Sequence, residues 1–79
     1  MTTGNVSSTM TREQYMERSK ERARTLLGFG LTREAVASMI LDMRNRPDCE
    51  VPPAIHAMGI CAATAGDAAA TRAYIEGFI

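Results

Sequence analysis

The sequence has few of the histidines and cysteines on which many enzymes and metalloproteins depend. It has one histidine, two cysteines and no tryptophan among its 79 residues. Three such ligands cannot complete a four-ligand zinc site, and two cysteines are too few for a disulfide framework. A catalytic triad would need a nucleophile and an orienting carboxylate around the histidine, and no such pattern surrounds His56. The sequence therefore predicts a protein that is not an enzyme and holds no metal or cofactor.

A long hydrophobic run and a net charge are also missing. The longest apolar run, AMGICAA, is far shorter than the roughly 18 residues that a membrane-spanning helix needs. The opening MTTGNVSSTM has no basic region followed by an apolar stretch, unlike a signal peptide. Nine basic side chains balance nine acidic ones, whereas nucleic-acid binders usually carry a basic excess. We expect a cytoplasmic protein with no membrane partner, and the charge does not favour nucleic acid as a partner.

Helix start and stop signals are abundant. Thr11 and Gln14 have the spacing of a capping box, and Asp67 directly after Gly66 has the pattern of one helix ending and another beginning. Thr32 is the predicted cap of a second helix, and Gly28 the predicted end of the first. No segment alternates as a strand does. Four helices are predicted, over about residues 11–27, 32–46, 53–65 and 67–78.

These signals predict an all-α fold, a compact four-helix domain of short helices that ends in an αα-hairpin. Residues 1–10 are mostly small and polar and are predicted to form a disordered tail, and residues 11–79 a single helical domain. The third helix is apolar nearly all round, so we expect the other helices to enclose it. The predicted core consists of Leu26, Leu27, Val36, Met39, Ile40, Met43, Ile55, Met58, Cys61, Ala62, Ile75 and Phe78.

The two cysteines are predicted to be unreactive for different reasons. Cys61 lies in the middle of the most apolar helix, where a buried structural thiol is the usual role. Cys49 lies between Asp48 and Glu50, and these negative charges should raise the pKa of its thiol.

The first two helices have the features of a docking surface. The first helix has strong start signals but only a thin apolar stripe, so we expect it to be helical without deep burial. Phe29 lies in a connection flanked by glycines, where an aromatic anchor can be exposed. Methionines suit adaptable contacts. The predicted partner-binding residues are Arg18, Arg22, Arg24, Phe29 and Met16, with Met39 and Met43 nearby. The partner would be another protein or a second copy of this chain, with no cofactor.

Two alternatives to this docking surface stay open on the sequence alone. Phe29 and the methionines could instead fill the core of a marginal helical bundle. The basic cluster RSKERAR, from Arg18 to Arg24, could contact phosphate, which would make the chain a small nucleic-acid-binding protein.

A set of short motifs extends over about residues 11–78. They are Ala37-Ser38-Met39, Asp42-Met43, Pro47, Ala54-Ile55, Met58-Gly59, Gly66 and the ending Ile75-Glu76-Gly77-Phe78. In these motifs the chain resembles a group of small helical proteins from bacteriophage, prophage and bacterial genomes that has no established activity. It departs from the group at Arg46, where a histidine usually precedes the proline. The resemblance implies a phage-encoded accessory protein or an inhibitor of a host system, as small stand-alone anti-CRISPR proteins are.

Overall fold

Four α-helices follow one another between residues 10 and 78, joined by short connections. The computed structural model describes residues 10–78, so the predicted disordered tail lies outside the described residues except for Met10. The helices are α1, Arg12–Gly28; α2, Thr32–Arg44; α3, Pro53–Thr64; and α4, Ala68–Glu76, with a 3₁₀ turn at Pro47–Cys49 between α2 and α3. No strand occurs between residues 10 and 78. The predicted all-α, four-helix fold is confirmed.

Helix α1 begins at the predicted capping box. The Thr11 Oγ1 accepts a 3.1 Å hydrogen bond from the Gln14 backbone N–H, and the Gln14 side chain accepts a 3.0 Å bond from the Thr11 N–H. Two backbone donors that the first turn leaves without helical partners are thereby satisfied. Farther along the chain, the Asp67 side chain accepts a 3.0 Å bond from the Ala70 N–H and caps α4 in the same manner.

Two predicted caps were misplaced. Helix α1 continues through Gly28, and the left-handed residue that ends it is Gly30, with φ +79°. The N–H groups of Gly30 and Leu31 donate to the carbonyls of Leu27 and Leu26, the double hydrogen bond of a Schellman motif. Thr32 is therefore already the first residue of α2, and its side chain makes no capping bond.

The core lies between α1, α2 and α4. Helix α1 buries one thin stripe, Met16, Ser19, Ala23 and Leu27. Facing it, α2 buries Ala35, Val36, Met39 and Met43, and Met39 and Met43 are completely inaccessible to solvent. The inner face of α4 consists of Thr71, Tyr74 and Ile75, and Phe78 follows the helix into the same cluster. Thr71 was not among the predicted core residues.

Helix α3 is not enclosed, which corrects the predicted architecture. Among the described helices it packs against α2 and α4 alone, whereas α2 and α4 each contact the three others. Of the predicted core, Leu27, Val36, Met39, Met43, Ala62, Ile75 and Phe78 are buried, and Leu26 and Ile40 are partly buried. The other three predicted core residues, Ile55, Met58 and Cys61, lie on α3 and are exposed.

Candidate docking surface

The outer side of α3 presents bulky apolar side chains to solvent. Residues 51–66 contain no Asp, Glu, Lys or Arg, so no charge is attached to this helix. Met58 is 66% exposed and Ile60 is 52% exposed. Four small residues, Ala54, Ala57, Cys61 and Ala65, are also exposed along the same helix and its end. We call these six residues the α3 surface.

The inward side of α3 carries only small residues, and the large side chains of the helix lie on its other sides. Gly59, Ala62 and Ala63 are the buried residues of the helix. A Cβ atom placed on Gly59 would lie 2.7–2.8 Å from three ring atoms of Tyr74, closer than real Cβ contacts. Helix α3 therefore packs close to α4 through the Gly59–Tyr74 contact, and this packing fixes which side chains remain outside.

An apolar cleft opens beside the α3 surface. Its volume is about 280 Å³, and Met58 belongs both to the cleft wall and to the α3 surface. The partly exposed side chain of Ile55 also faces it. The other apolar walls come from Met16, Val51, Tyr74 and Phe78. The exposed apolar area therefore extends from the outer side of α3 into a concave region between α3, α4 and the beginning of α1.

An aromatic cluster holds α3 and α4 together under this area. The Nδ1 of His56 and the hydroxyl of Tyr74 share a 2.8 Å hydrogen bond. The Tyr74 and Phe78 rings meet edge to face, with centroids 5.1 Å apart. Burial lowers the pKa of His56, and the positive charge of Arg44 lowers it further. Burial raises the pKa of Tyr74 to about 12, so its hydroxyl stays protonated at neutral pH.

His56 is therefore a structural link between two helices. Tyr74 is its hydrogen-bond partner, and no carboxylate or thiol among residues 10–78 bonds to its ring. Within the same residues, no three His, Cys, Asp or Glu side chains lie close enough together to hold a metal ion.

The cysteines lie in environments that the sequence predicted only in part. Cys49, the last residue of the 3₁₀ turn, is fully buried, and burial, followed by the charge of Asp48, raises the pKa of its thiol. The predicted direction is confirmed, but burial is the larger cause. Cys61 is exposed on the α3 surface, and the prediction that it is buried was wrong.

Two of the three predicted partner-binding arginines form ion pairs within the chain. Arg22 Nη1 lies 2.8 Å from Asp42 Oδ2 on α2. Arg24 donates from Nε and Nη2 to the two carboxylate oxygens of Glu76, at 2.7 and 2.8 Å, and from Nη1 to Glu17 at 2.9 Å. The hydrogen bonds that Arg24 donates to Glu76 lower the pKa of the Glu76 carboxyl. Arg18 is exposed on the same helix and makes no ion pair with the described residues. The structure therefore does not bring these arginines together as a cluster of unpaired cations.

The predicted apolar contacts of the first two helices divide into one exposed residue and three buried ones. Phe29 is 76% exposed in the connection between α1 and α2, as expected of an accessible aromatic. Met16, only 5% exposed, packs in the core, so the expectation that it faces a partner is wrong. Met39 and Met43 are fully buried and cannot serve as adaptable surface contacts.

Sequence reasoning missed the α3 surface. The uncharged stretch was recognised, but it was interpreted as a central helix. The positions that face inward in the structure are Gly59, Ala62 and Ala63, which offer little apolar area to bury, and small residues on every side of the helix hide this pattern in the sequence. A helix whose bulky residues lie on its other sides needs partners on those sides, and no further helix between residues 10 and 78 supplies them.

Comparison of the chain with protein-family models, with curated proteins and with solved structures finds no match. The resemblance to phage proteins therefore stays a prediction from the motifs in the sequence. None of the helices between residues 10 and 78 is both long enough and apolar enough to cross a membrane.

Proposed function

We propose that this protein acts without catalysis, by docking on another protein through the α3 surface. The observation that carries the proposal is the solvent exposure of Met58 and Ile60 on a helix that bears no charge. Contiguous exposed apolar patches are unusual on small soluble domains and commonly mark interaction sites. A partner that fits this surface offers an uncharged apolar helix, because any charged group placed against it would lose its hydration without gaining an ion pair.

A docking role on α3 replaces the docking role first expected of α1 and α2. Met16 is buried, and Arg22 and Arg24 already have carboxylate partners within the chain. Phe29 remains an accessible aromatic, but it stands at a turn with Leu31 as its exposed apolar neighbour. The α3 surface offers six adjoining residues and the neighbouring cleft, and for this reason we prefer it.

Nucleic acid is the weaker candidate for a partner. Cationic side chains bind phosphate by releasing the counterions that surround a nucleic acid. Arg22 and Arg24 already pair with carboxylates of this chain, which reduces the positive charge available for phosphate. We expect no binding above non-specific levels at physiological salt. A salt-sensitive, sequence-selective complex in a mobility-shift assay would favour nucleic acid over docking.

The resemblance to phage proteins favours a particular setting for the docking. Within that setting, the protein would be an accessory factor or an inhibitor of a host system, for example of the anti-CRISPR kind. Its support is the set of shared motifs, including the ending Ile75-Glu76-Gly77-Phe78.

The test compares two exposed apolar residues on different helices. Met58→Glu places a charge on the α3 surface, and Leu41→Glu places one on α2, where the native leucine is 62% exposed. Tagged wild-type and variant chains are used to capture proteins from a bacterial lysate and from cells that also express an untagged copy. Each captured protein is then purified and titrated against all three chains.

We expect a saturable complex with the wild type and with Leu41→Glu, and binding at least about tenfold weaker with Met58→Glu, equivalent to about 1.4 kcal/mol. Circular dichroism should show the same helicity in all three chains, because both substitutions are made at exposed positions. If every captured protein binds Met58→Glu and the wild type equally, α3 is not the docking surface.

A further inference from the structure

Four exposed residues of α3 form a stripe whose spacing is symmetric. Ala54, Met58, Cys61 and Ala65 are separated by four, three and four residues, so the pattern reads the same from either end. All four are exposed. Spacings of three and four residues place side chains on one side of an α-helix, which is the arrangement of a helix-pairing seam.

A second α3 lying antiparallel on this stripe would match it residue for residue. With a two-fold axis between positions 59 and 60, Ala54 of each copy faces Ala65 of the other, and Met58 of each copy faces Cys61 of the other. Small residues meet at both ends, and a large side chain meets a small one in the middle. Two-fold interfaces require this kind of self-complementarity, in which the same patch serves both partners.

We infer that the partner of the α3 surface is a second copy of this chain, paired α3 to α3 in antiparallel orientation across a two-fold axis. The inference rests on the proposed function, since it assumes that the α3 surface is a docking surface, and it names the partner.

The distribution of charge permits a second copy as the partner. The stripe carries no charge that could select a complementary partner, and the formal net charge of the chain is zero, so two copies do not repel each other. Antiparallel pairing also brings the positive end of each helix macrodipole near the negative end of the other.

The dimensions of the stripe predict a close but weak dimer. From Ala54 to Ala65 the helix rises about 16 Å, at about 1.5 Å per residue. The small side chains of Ala54, Cys61 and Ala65 allow the helix axes to approach the lower end of the usual 8–10 Å. A single pair of helices this short buries less than the roughly 1,200 Å² typical of stable complexes. We therefore expect a dissociation constant on the order of micromolar or weaker.

The oligomeric state tests the inference directly. Sedimentation equilibrium of the full chain, from a few micromolar to about a millimolar, should show a reversible monomer–dimer equilibrium for the wild type. Leu41→Glu should behave like the wild type. Met58→Glu should stay monomeric over this range, because the dimer interface would bury two glutamates without an ion-pair partner.

Cys61 provides a second measurement that needs no substitution at Met58. In the proposed register, the two Cys61 residues are offset by about 4.5 Å along the helices, three residues at about 1.5 Å each. A short bis-maleimide that alkylates both thiols should therefore link two copies through Cys61. The fully buried Cys49 should not react. Cys61→Ala should abolish the cross-link, Leu41→Glu should retain it, and Met58→Glu should reduce it at least about tenfold.

The outcomes separate this inference from the proposed function. A wild-type chain that remains monomeric at a millimolar overturns the inference, and so does a dimer that persists in Met58→Glu without the Cys61 cross-link. If the monomeric chain nevertheless binds a different purified protein, and Met58→Glu weakens that complex, docking through α3 stands and only the identity of the partner is wrong. If neither complex depends on Met58, both proposals fail.

Discussion

The two halves of this molecule show opposite relations between composition and burial. In the first half, α1 is rich in charged residues and yet buries Met16, Ala23 and Leu27 along one thin stripe. In the second half, α3 carries no charge and yet exposes Met58 and Ile60. The amount of apolar side chain in a helix therefore does not decide how deeply the helix is buried. The decisive feature is which residues face the neighbours: α1 and α3 each pack against two helices, but α1 turns bulky apolar residues toward them, whereas α3 turns Gly59, Ala62 and Ala63.

The same contrast appears within a single residue type. Met39 and Met43 on α2 are inaccessible to solvent, whereas Met58 on α3 is two-thirds exposed. If the comparison of the two halves is correct, truncating these methionines should have very different effects on stability although the chemical change is identical.

The largest expected effect is the loss of stability caused by a substitution in the first half. Met39→Ala should lower the free energy of unfolding by about 2–5 kcal/mol, because it leaves a cavity in a fully packed core. Met58→Ala should change it by no more than about 0.5 kcal/mol, as is usual at exposed positions. Urea denaturation followed by circular dichroism, below the concentration at which copies associate, measures both. Equal losses in the two variants would show that α3 is enclosed after all.

A feature of this contrast could be predicted from the sequence when it depends on interactions between residues that are close in the chain. Helix ends depend on neighbours in sequence, so the capping box at Thr11 and Gln14 and the Asp67 cap after Gly66 were predicted. The order of the helices and their number followed from the same signals. The choice between Gly28 and Gly30 as the end of α1 was wrong, because two nearby glycines can each adopt a left-handed conformation.

Burial on α3 was beyond the reach of the same reasoning. Whether α3 lies inside or outside depends on contacts between helices far apart in sequence, such as Gly59 with Tyr74. The sequence shows a small residue at position 59 but not the ring that comes against it. For the candidate site, exposure of Phe29 was predicted, while the pairing of Arg24 with Glu76, 52 positions away in the chain, could not be.

The second prediction sharpens the account of α3. Gly59→Ala should destabilise the protein by about 1–3 kcal/mol, since the added methyl group would overlap the Tyr74 ring and force it to shift. Helix propensity alone would predict the opposite, a gain of up to about 1 kcal/mol. Gly28→Ala is the matched control, because a Cβ atom there meets nothing within 4 Å and its φ is not positive.

The Gly28 variant should be as stable as the wild type or up to about 1 kcal/mol more stable. Thermal melts of both variants decide the matter. A stabilised Gly59→Ala chain would mean that α3 does not approach α4 as closely as the Tyr74 contact indicates, and the packing that directs Met58 and Ile60 outward would lose its basis.

The third prediction concerns pH and the link between α3 and α4. The pKa of His56 is lowered below its ordinary 6.5 by burial and by Arg44, so the folded protein holds fewer protons there than the unfolded chain. Stability should therefore fall as pH drops below about 6.5, through the window down to the folded pKa. Glu50 and the Tyr74 hydroxyl also lie near His56. The pKa of Tyr74 is about 12, so its hydroxyl stays protonated throughout this window.

Melting temperatures between pH 5 and 7.5 test this prediction. The wild type should lose stability toward pH 5, and His56→Asn, which keeps a hydrogen-bonding group near Tyr74 but does not titrate, should lose less. Most carboxylates ionise below this range, near pH 4, so they contribute little to the difference. Identical slopes in the two proteins would exclude His56 as the source of the pH dependence.

The smallest expected effect returns to the turn between α1 and α2. Phe29→Ala should alter the free energy of unfolding by no more than about 0.5 kcal/mol, because the ring is 76% exposed. Leu27→Ala, two residues earlier and only 6% exposed, should cost about 2–5 kcal/mol and serves as the control. The same Phe29 variant should retain the α3-dependent cross-link through Cys61. If Phe29→Ala leaves stability unchanged but abolishes association, the docking surface lies on the charged half of the molecule, as the sequence alone predicted.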